Sequence, residues 1–243
     1  MPIYLPELNL FDHDFPAIHN ALDVPDGLLA MGGDLDPSRI FAGYSQGIFP
    51  WFNDDEPLLW WSPSTRATIT AGDCHISKSM KKLIRQCDVS IKINNVFEKV
   101  IEQCALPRKN QPSTWITQKM RNAYSALHQQ GHCHSVEVWE NEQLVGGLYG
   151  VCVGELFCGE SMFSLKNNMS KLAFIALNFH FKQFGGKIID CQMMTDHLKS
   201  LGVAEMPRSK FKKRLTAHTH QIINQDCWKP QSRTLRSLLA QGS

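Results

Sequence analysis

The sequence predicts an α/β (α+β) protein, a mixed sheet flanked by helices and preceded by a small aromatic-rich N-terminal domain. The stretch from Val145 to Gln192 is the main ground for this. It reads as two strands joined by a tight turn at Gly154, an amphipathic helix, and a short buried strand ending in Asp190 and Gln192. Before about Thr65 the chain is instead crowded with aromatic and turn residues, and from Arg66 onward helical and strand periodicities alternate. The expected division is therefore a domain of residues 1–65 and a larger one of residues 66–243.

Composition sets the outer limits. The 243 residues are 43% hydrophobic and 20% charged, which suits a globular chain with a sizeable core. A formal net charge of +2 assigns any nucleic-acid binding to a local patch. With no 18-residue apolar run and no basic, apolar leader, the expected compartment is the cytoplasm. Eight scattered cysteines, none in a C-x-x-C pair, read as small buried hydrophobes in a reducing compartment. His132, Cys133 and His134 are close in sequence, but a strand would send the histidines to one face and the cysteine to the other, so no metal is expected there.

The elements follow in order. Asp36 before Pro37 is a helix start, Ile40, Phe41 and Tyr44 share one face, and Gly47 can close the helix. Three of the six tryptophans, Trp51, Trp60 and Trp61, lie within eleven residues. Trp60 and Trp61 fit core filling and a pocket wall equally well, whereas Pro50 fixes a turn that suits Trp51 to a pocket edge. Ser77 caps a helix with an apolar stripe of Met80, Leu83, Ile84 and Cys87. Its other face carries Lys78, Lys81, Lys82 and Arg85, either a solvated face or a field that favours a polyanion.

Val89–Ile93 alternates as a strand, and Val96 to Cys104 has helical spacing. A basic loop from Leu106 to Pro112, with Arg108 and Lys109, leads to Trp115 at a loop-to-helix junction. Thr117 caps the helix that Gly131 ends. Ser135–Trp139 and Gln143–Val153 are strands, and Gly146 and Gly147 within the second mark a bulge or a close approach to the backbone. Thr195–Leu201 is a short helix closed by Gly202. Pro207 begins a basic helix with Arg208, Lys210, Lys212, Lys213 and Arg214, and the tail from Gln231 is weakly helical or disordered.

No phosphate loop, nucleophile elbow or H-E-x-x-H occurs. Cys158 and Cys191 have no histidine placed nearby in sequence to activate them. The polar groups left to the sheet are Glu160, Asp190 and Gln192. On a strand Asp190 and Gln192 project to one face while Ile189 and Cys191 point into the core. Carboxylates and an amide among aromatics suit transfer of an already activated group onto an amine, a reaction that needs positioning and loss of an ammonium proton but no covalent intermediate.

The strand and helix order from Ser135 to Gln192 resembles the GCN5-related N-acetyltransferase sheet. Those enzymes hold the pyrophosphate of their cofactor on a loop resembling [QR]-x-x-G-x-[GA], and here residues 164–171 read Ser-Leu-Lys-Asn-Asn-Met-Ser-Lys, without glycine. Acyl-CoA is thereby disfavoured as donor, and no cofactor is expected.

A more specific resemblance covers nearly the whole chain. Gly-Ile-Phe-Pro-Trp-Phe (47–52), Trp-Trp-Ser-Pro (60–63), His-Ile-Ser-Lys-Ser-Met-Lys (75–81) and Thr-Trp-Ile (114–116) carry it in the first half. His-Ser-Val-Glu-Val-Trp (134–139), Phe-Cys-Gly-Glu-Ser-Met-Phe-Ser (157–164) and Ile-Asp-Cys-Gln (189–192) carry it in the second. Together they resemble the leucyl/phenylalanyl-tRNA–protein transferase family.

That resemblance implies leucyl- or phenylalanyl-tRNA as donor, with methionyl-tRNA tolerated, and proteins with N-terminal Arg or Lys as acceptors. It also implies a role in N-end-rule degradation. The donor pocket maps to Trp51, Trp115, Leu148, Met162 and Leu177, with Leu148 and Leu177 standing where Met and Phe are expected. Asp190 and Gln192 map to the centre, either moving a proton from the α-amine or holding the acceptor. Glu160 is left to orient the amine or to pair with the acceptor's cationic side chain. The RNA-binding cluster maps to Lys78, Lys82 and Arg85. An acyl-CoA N-acyltransferase and a non-catalytic tRNA-binding module are the alternatives, and a monomer is expected because no exposed heptad is visible.

Overall fold

The computed structural model describes residues 4–107 and 114–240. The basic positions Arg108 and Lys109 lie outside the described residues.

The N-terminal segment builds a small sheet. Strands β1 (Glu7–Leu8) and β2 (Leu28–Gly32) precede helix α1 (Pro37–Ser45), and β3 (Phe49–Pro50) and β4 (Leu59–Trp61) follow it. Their order is β1-β2-β4-β3. The Asp36 side chain accepts from the Ser38 amide at 2.8 Å and caps α1 as its sequence predicts, and Gly47 at φ +79° lets the chain turn out of it. Trp60 is core, fully buried, with its indole N–H donating to the Gly32 carbonyl at 3.0 Å.

The remaining elements are β5 (Thr65–Thr70), α2 (Lys78–Gln86), β6 (Ser90–Ile93), α3 (Phe97–Ala105), α4 (Gln118–Gln129), β7 (Cys133–Glu140), β8 (Gln143–Val153) and β9 (Leu156–Ser164). After them come α5 (Met169–Gln183), β10 (Ile188–Asp190), α6 (Asp196–Ser200), β11 (Ala204–Pro207), α7 (Arg208–His218), β12 (Gln231–Thr234) and α8 (Leu235–Ala240). The eight later strands form one sheet, ordered β11-β5-β10-β9-β8-β7-β6-β12. Only the β9–β10 pair within it is parallel, the connection running through α5.

Helices cover both faces. Tyr149 and Val151 of β8 join α1, α3, α4 and α7 in one apolar layer, while Leu148 and Cys152 join α2, α5 and α8 in the other. Gly146 is where α5 presses closest, since a Cβ there would come within 2.5 Å of the Met169 Cβ. Opposite it the register of β7 and β8 shifts between Val138 and Trp139, so the glycine pair marks both a bulge and a close approach.

Three expectations change. Within its described residues, 231–240, the tail is ordered and not simply helical, because β12 pairs with β6 at the sheet edge and Leu235 and Leu238 are buried; residues 241–243 lie outside the described residues. Strand β10 ends at Asp190, so Gln192 stands beyond it with φ +56°. His132 and His134 do not share a face: His132 packs on Phe41, whereas His134 stacks on Trp228 with ring centroids 4.2 Å apart.

Candidate active site

The paired strands β9 and β10 share register only up to Cys158 and Asp190, and beyond that β9 runs on while the β10 chain turns away. Their parting opens a cavity of about 860 Å³. Trp51, Trp115, Leu148, Met162 and Leu177 all lie on its wall, and Glu160 and Gln192 supply its hydrogen-bonding end.

Each wall residue arrives by a different route. Trp51 follows the short strand β3 and is 39% exposed, held by the Trp61 indole N–H donating to its carbonyl at 2.7 Å. Trp115 precedes the Thr117 cap of α4, whose hydroxyl accepts from the Met120 amide. Leu148 and Leu177 rise from β8 and α5 on the same side of the sheet.

Met162 depends on an irregularity. Across β8, Tyr149 faces Ser161 and Gly150 faces Gly159, so Glu160 is the extra residue of a β-bulge. Before it Leu156 and Cys158 face the α1/α3/α4 layer, and after it Phe163 does, leaving Met162 to the other side. The bulge thus separates Glu160 and Met162, which a regular strand would put on one face.

Glu160 is bound at both oxygens: the Tyr124 hydroxyl donates to Oε2 at 2.9 Å and the Gln192 side-chain amide donates to Oε1 at 3.0 Å. Burial pushes its pKa up to about 7, against hydrogen bonds from Tyr44 and Tyr124 that pull it down. Because the Gln192 NH₂ is committed to Glu160, the other end of that amide, its carbonyl oxygen, is left as an acceptor.

Asp190 is not aimed into the cavity. Its carboxylate is fully buried, with Oδ1 2.9 Å from Arg66 Nε and Oδ2 2.8 Å from Arg66 Nη2. Oδ1 also accepts the main-chain N–H of Gln192 at 3.0 Å. Ile189 and Cys191 line the cavity instead, so the strand faces opposite to the alternation expected from sequence. The reason is Arg66, whose Nη1 donates to the Gly47 carbonyl at 3.0 Å and whose guanidinium lies over the rings of Phe49 and Phe211. A charge so enclosed requires its carboxylate partner inside.

The thiols offer no nucleophile, since burial pushes Cys158 and Cys191 well above the ordinary thiol value. Lys78, Lys81, Lys82 and Arg85 are all exposed on α2, with Met80 and Ile84 buried beneath. The His75 amide donates to the Leu201 carbonyl at 2.9 Å and ties the start of α2 to α6, whose His197 and Leu198 line the cavity. Sequence reasoning passed over Arg66, Tyr44 and Tyr124 as site residues. Tyr44 was visible only as a member of an apolar helix face, and nothing local couples any of the three to a partner at sequence separations of 124 or 80 residues.

A cavity with an apolar wall, a carboxyl–amide pair at one end and no reactive thiol suits an enzyme that sets two substrates end to end, that is, a transferase. The profiles described as leucyl/phenylalanyl-tRNA protein transferase and its N-terminal domain match residues 68–216 and 33–64. A leucyl/phenylalanyl-tRNA–protein transferase of Psychromonas ingrahamii is 55% identical over 96% of the chain and 98% of its own length. Those of Aliivibrio salmonicida and Tolumonas auensis are 52% and 46% identical, over 96% and 97% of the chain and 98% and 100% of their own lengths. The chain belongs to the leucyl/phenylalanyl-tRNA protein transferase family, and it is an aminoacyltransferase. Among solved structures, a functionally unknown conserved protein of Staphylococcus epidermidis overlaps 74% of the chain and 68% of its own at a TM-score of 0.37 and 13% identity, too slight a likeness to assign a fold family.

Proposed function

We propose that the protein transfers Leu or Phe, with Met tolerated, from aminoacyl-tRNA to the α-amine of proteins beginning with Arg or Lys, marking them for N-end-rule degradation in the cytoplasm. The observation that carries this reading is the cavity itself, apolar along Trp51, Trp115, Leu148, Met162 and Leu177 and ending at the bonded pair Glu160–Gln192. The donor side chain fills the apolar part and its ester carbonyl lies toward the pair. The aminoacyl ester is already activated, so positioning is the larger part of catalysis.

In this reading the Gln192 carbonyl accepts a hydrogen bond from the acceptor's ammonium, and ionised Glu160 takes one proton from it. The freed amine attacks the ester carbonyl. The C–O bond to the tRNA terminal ribose breaks as the amide forms, and the second amine proton goes to the departing ribose oxygen. Asp190 acts from behind, holding Gln192 by its main chain. Lys78, Lys82 and Arg85 contact tRNA phosphates without reading sequence. The order β7-β8-β9-α5-β10 supports an acetyltransferase-like sheet as the ancestry of residues 66–243, with residues 1–65 as the added aromatic domain and the whole acting as a monomer without a cofactor.

The test is transfer of radiolabelled leucine from leucyl-tRNA to a protein starting with Arg, beside the same protein starting with Ala. Labelling of the Arg protein alone is expected. Labelling of neither, with folded enzyme and both leucyl- and phenylalanyl-tRNA supplied, would reject the reading.

A further inference from the structure

We propose that Tyr44 and Tyr124 form a positioning dyad that holds Glu160 ionised and turned toward Gln192, so that the N-terminal segment takes part in the reaction although the residues it presents to the cavity, Phe49, Pro50 and Trp51, carry no ionisable group. The inference deepens the reading above and rests on it.

Both phenols are fully buried, Tyr44 on α1 and Tyr124 on α4. Their oxygens are 2.6 Å apart, and the Tyr124 oxygen is 2.9 Å from Glu160 Oε2. A phenol has one proton to give. When Glu160 is ionised Tyr124 must spend its proton on the carboxylate, so Tyr44 must donate to Tyr124. The direction Tyr44 to Tyr124 to Glu160 is thereby fixed, and a chain of donors ending on a carboxylate favours its charged form. Burial pushes both phenols well above their ordinary value, so neither loses its proton in the neutral range.

Beside the Gln192 amide, which also donates to the carboxylate at 3.0 Å, the other groups around Glu160 leave this task to the phenols. Asp190 from β10 raises its pKa and Arg66 from β5 lowers it, the two opposing each other as a pair. Cys133 of β7, Tyr149 of β8 and Cys158 of β9 are uncharged neighbours with pKa values pushed up by burial. The Tyr149 hydroxyl is closed to solvent and has no hydrogen-bond partner, so it gives Glu160 nothing.

Packing alone does not explain the pair, since two phenylalanines would fill the same space without burying hydroxyls that cost free energy unless bonded. The end of α1 also supplies the Gly47 carbonyl that receives Arg66. Two hydrogen-bonded chains therefore start from one turn of chain. One passes through Tyr44 and Tyr124 to Glu160, the other through Arg66 and Asp190 to the Gln192 main chain, and they meet at the Glu160–Gln192 bond.

The experiment is the pH dependence of kcat/KM for leucine transfer to an Arg-initiated peptide, between pH 5.5 and 9, with a melting curve for each protein. Wild type should lose activity below about pH 7, where Glu160 takes up its proton. Tyr124→Phe should move that acid limb upward by about one unit, an activity roughly tenfold lower below pH 6.5 and recovered above pH 8.5. Tyr44→Phe, which keeps the Tyr124–Glu160 bond, should move it the same way by a comparable amount, since Tyr44 lowers the Glu160 pKa at least as much as Tyr124 does, and it serves if the first variant does not fold. Folded phenylalanine variants whose acid limb stays at the wild-type position, while Glu160→Gln abolishes that limb, would overturn the dyad. An unchanged profile in Glu160→Gln would overturn the role of Glu160 itself, and the dyad with it.

Discussion

Arg66 and Asp190, 124 residues apart in sequence, form a two-pronged ion pair closed to solvent. Through it the last strand of the cleft is locked to β5 and to the turn at Gly47. The pair also sets the conformation of Gln192. That residue sits at φ +56° in a three-residue turn, with the Met193 amide donating to the Cys191 carbonyl at 2.7 Å, a strained geometry that the Asp190 carboxylate helps to hold.

Removing either partner strands a buried charge. Arg66→Ala or Asp190→Ala should each lower stability by about 3–5 kcal/mol, read by urea denaturation followed through tryptophan fluorescence. The double replacement Arg66→Met with Asp190→Leu should regain most of that stability while transfer stays low, because the Gln192 amide still lacks its acceptor. Wild-type turnover in the double variant would show that Gln192 keeps its place without the carboxylate.

Leu177 faces the cavity from α5 with almost no exposure. A larger ring there shortens the room for the donor side chain. Leu177→Phe should lower kcat/KM for phenylalanyl-tRNA relative to leucyl-tRNA by about tenfold or more, measured in competition. An unchanged ratio would place the end of the donor side chain elsewhere.

The α2 cations should act through charge alone. Replacing Lys78, Lys82 and Arg85 together by Ala should weaken tRNA binding and flatten the plot of log affinity against log salt by about 2–3 units of slope, with turnover at saturating tRNA retained. A slope equal to wild type would remove this helix from the interface.

Acid should weaken the fold through two histidines. Burial lowers the pKa of His134 to about 3 and of His180 to about 4, from an ordinary value of 6.5. The unfolded chain therefore binds protons that the folded chain refuses. Stability falls as the pH drops from 6.5 toward 4, on the order of a few kcal/mol for the two together. Glu160 works in the opposite sense between pH 7 and 4.5, being protonated earlier when folded. His180→Gln should flatten the acid limb of a stability–pH curve and Glu160→Gln should steepen it.

Much of this was legible in the chain. The caps at Asp36, Ser77, Thr117 and Thr195 begin helices as their local chemistry dictates, because a cap needs only a neighbour two or three residues away. The stretch from β8 to β10 was readable because its alternation and its helix are both strongly apolar. Strand β5 was not, since it carries an inward-facing Arg66 that breaks the pattern and is explained only by Asp190. Nor was β12, whose Gln-Ser-Arg-Thr has no apolar side to show. The cavity wall was read from the resemblance, while the orientation of Asp190 depends on a contact that no local spacing encodes.

The bulge at Glu160 has a consequence for how this cleft can vary. One strand supplies a residue to each side of the sheet because its phase is shifted by a single extra position. Deleting that position would remove the carboxyl group and leave the rest of the strand in place. The pairings of Tyr149 with Ser161 and of Leu148 with Met162 would persist, leaving Met162 at the donor space and Phe163 against the helices behind. The carboxyl group is thus carried on an insertion, and the apolar wall of the cleft keeps its register whether or not that insertion is there.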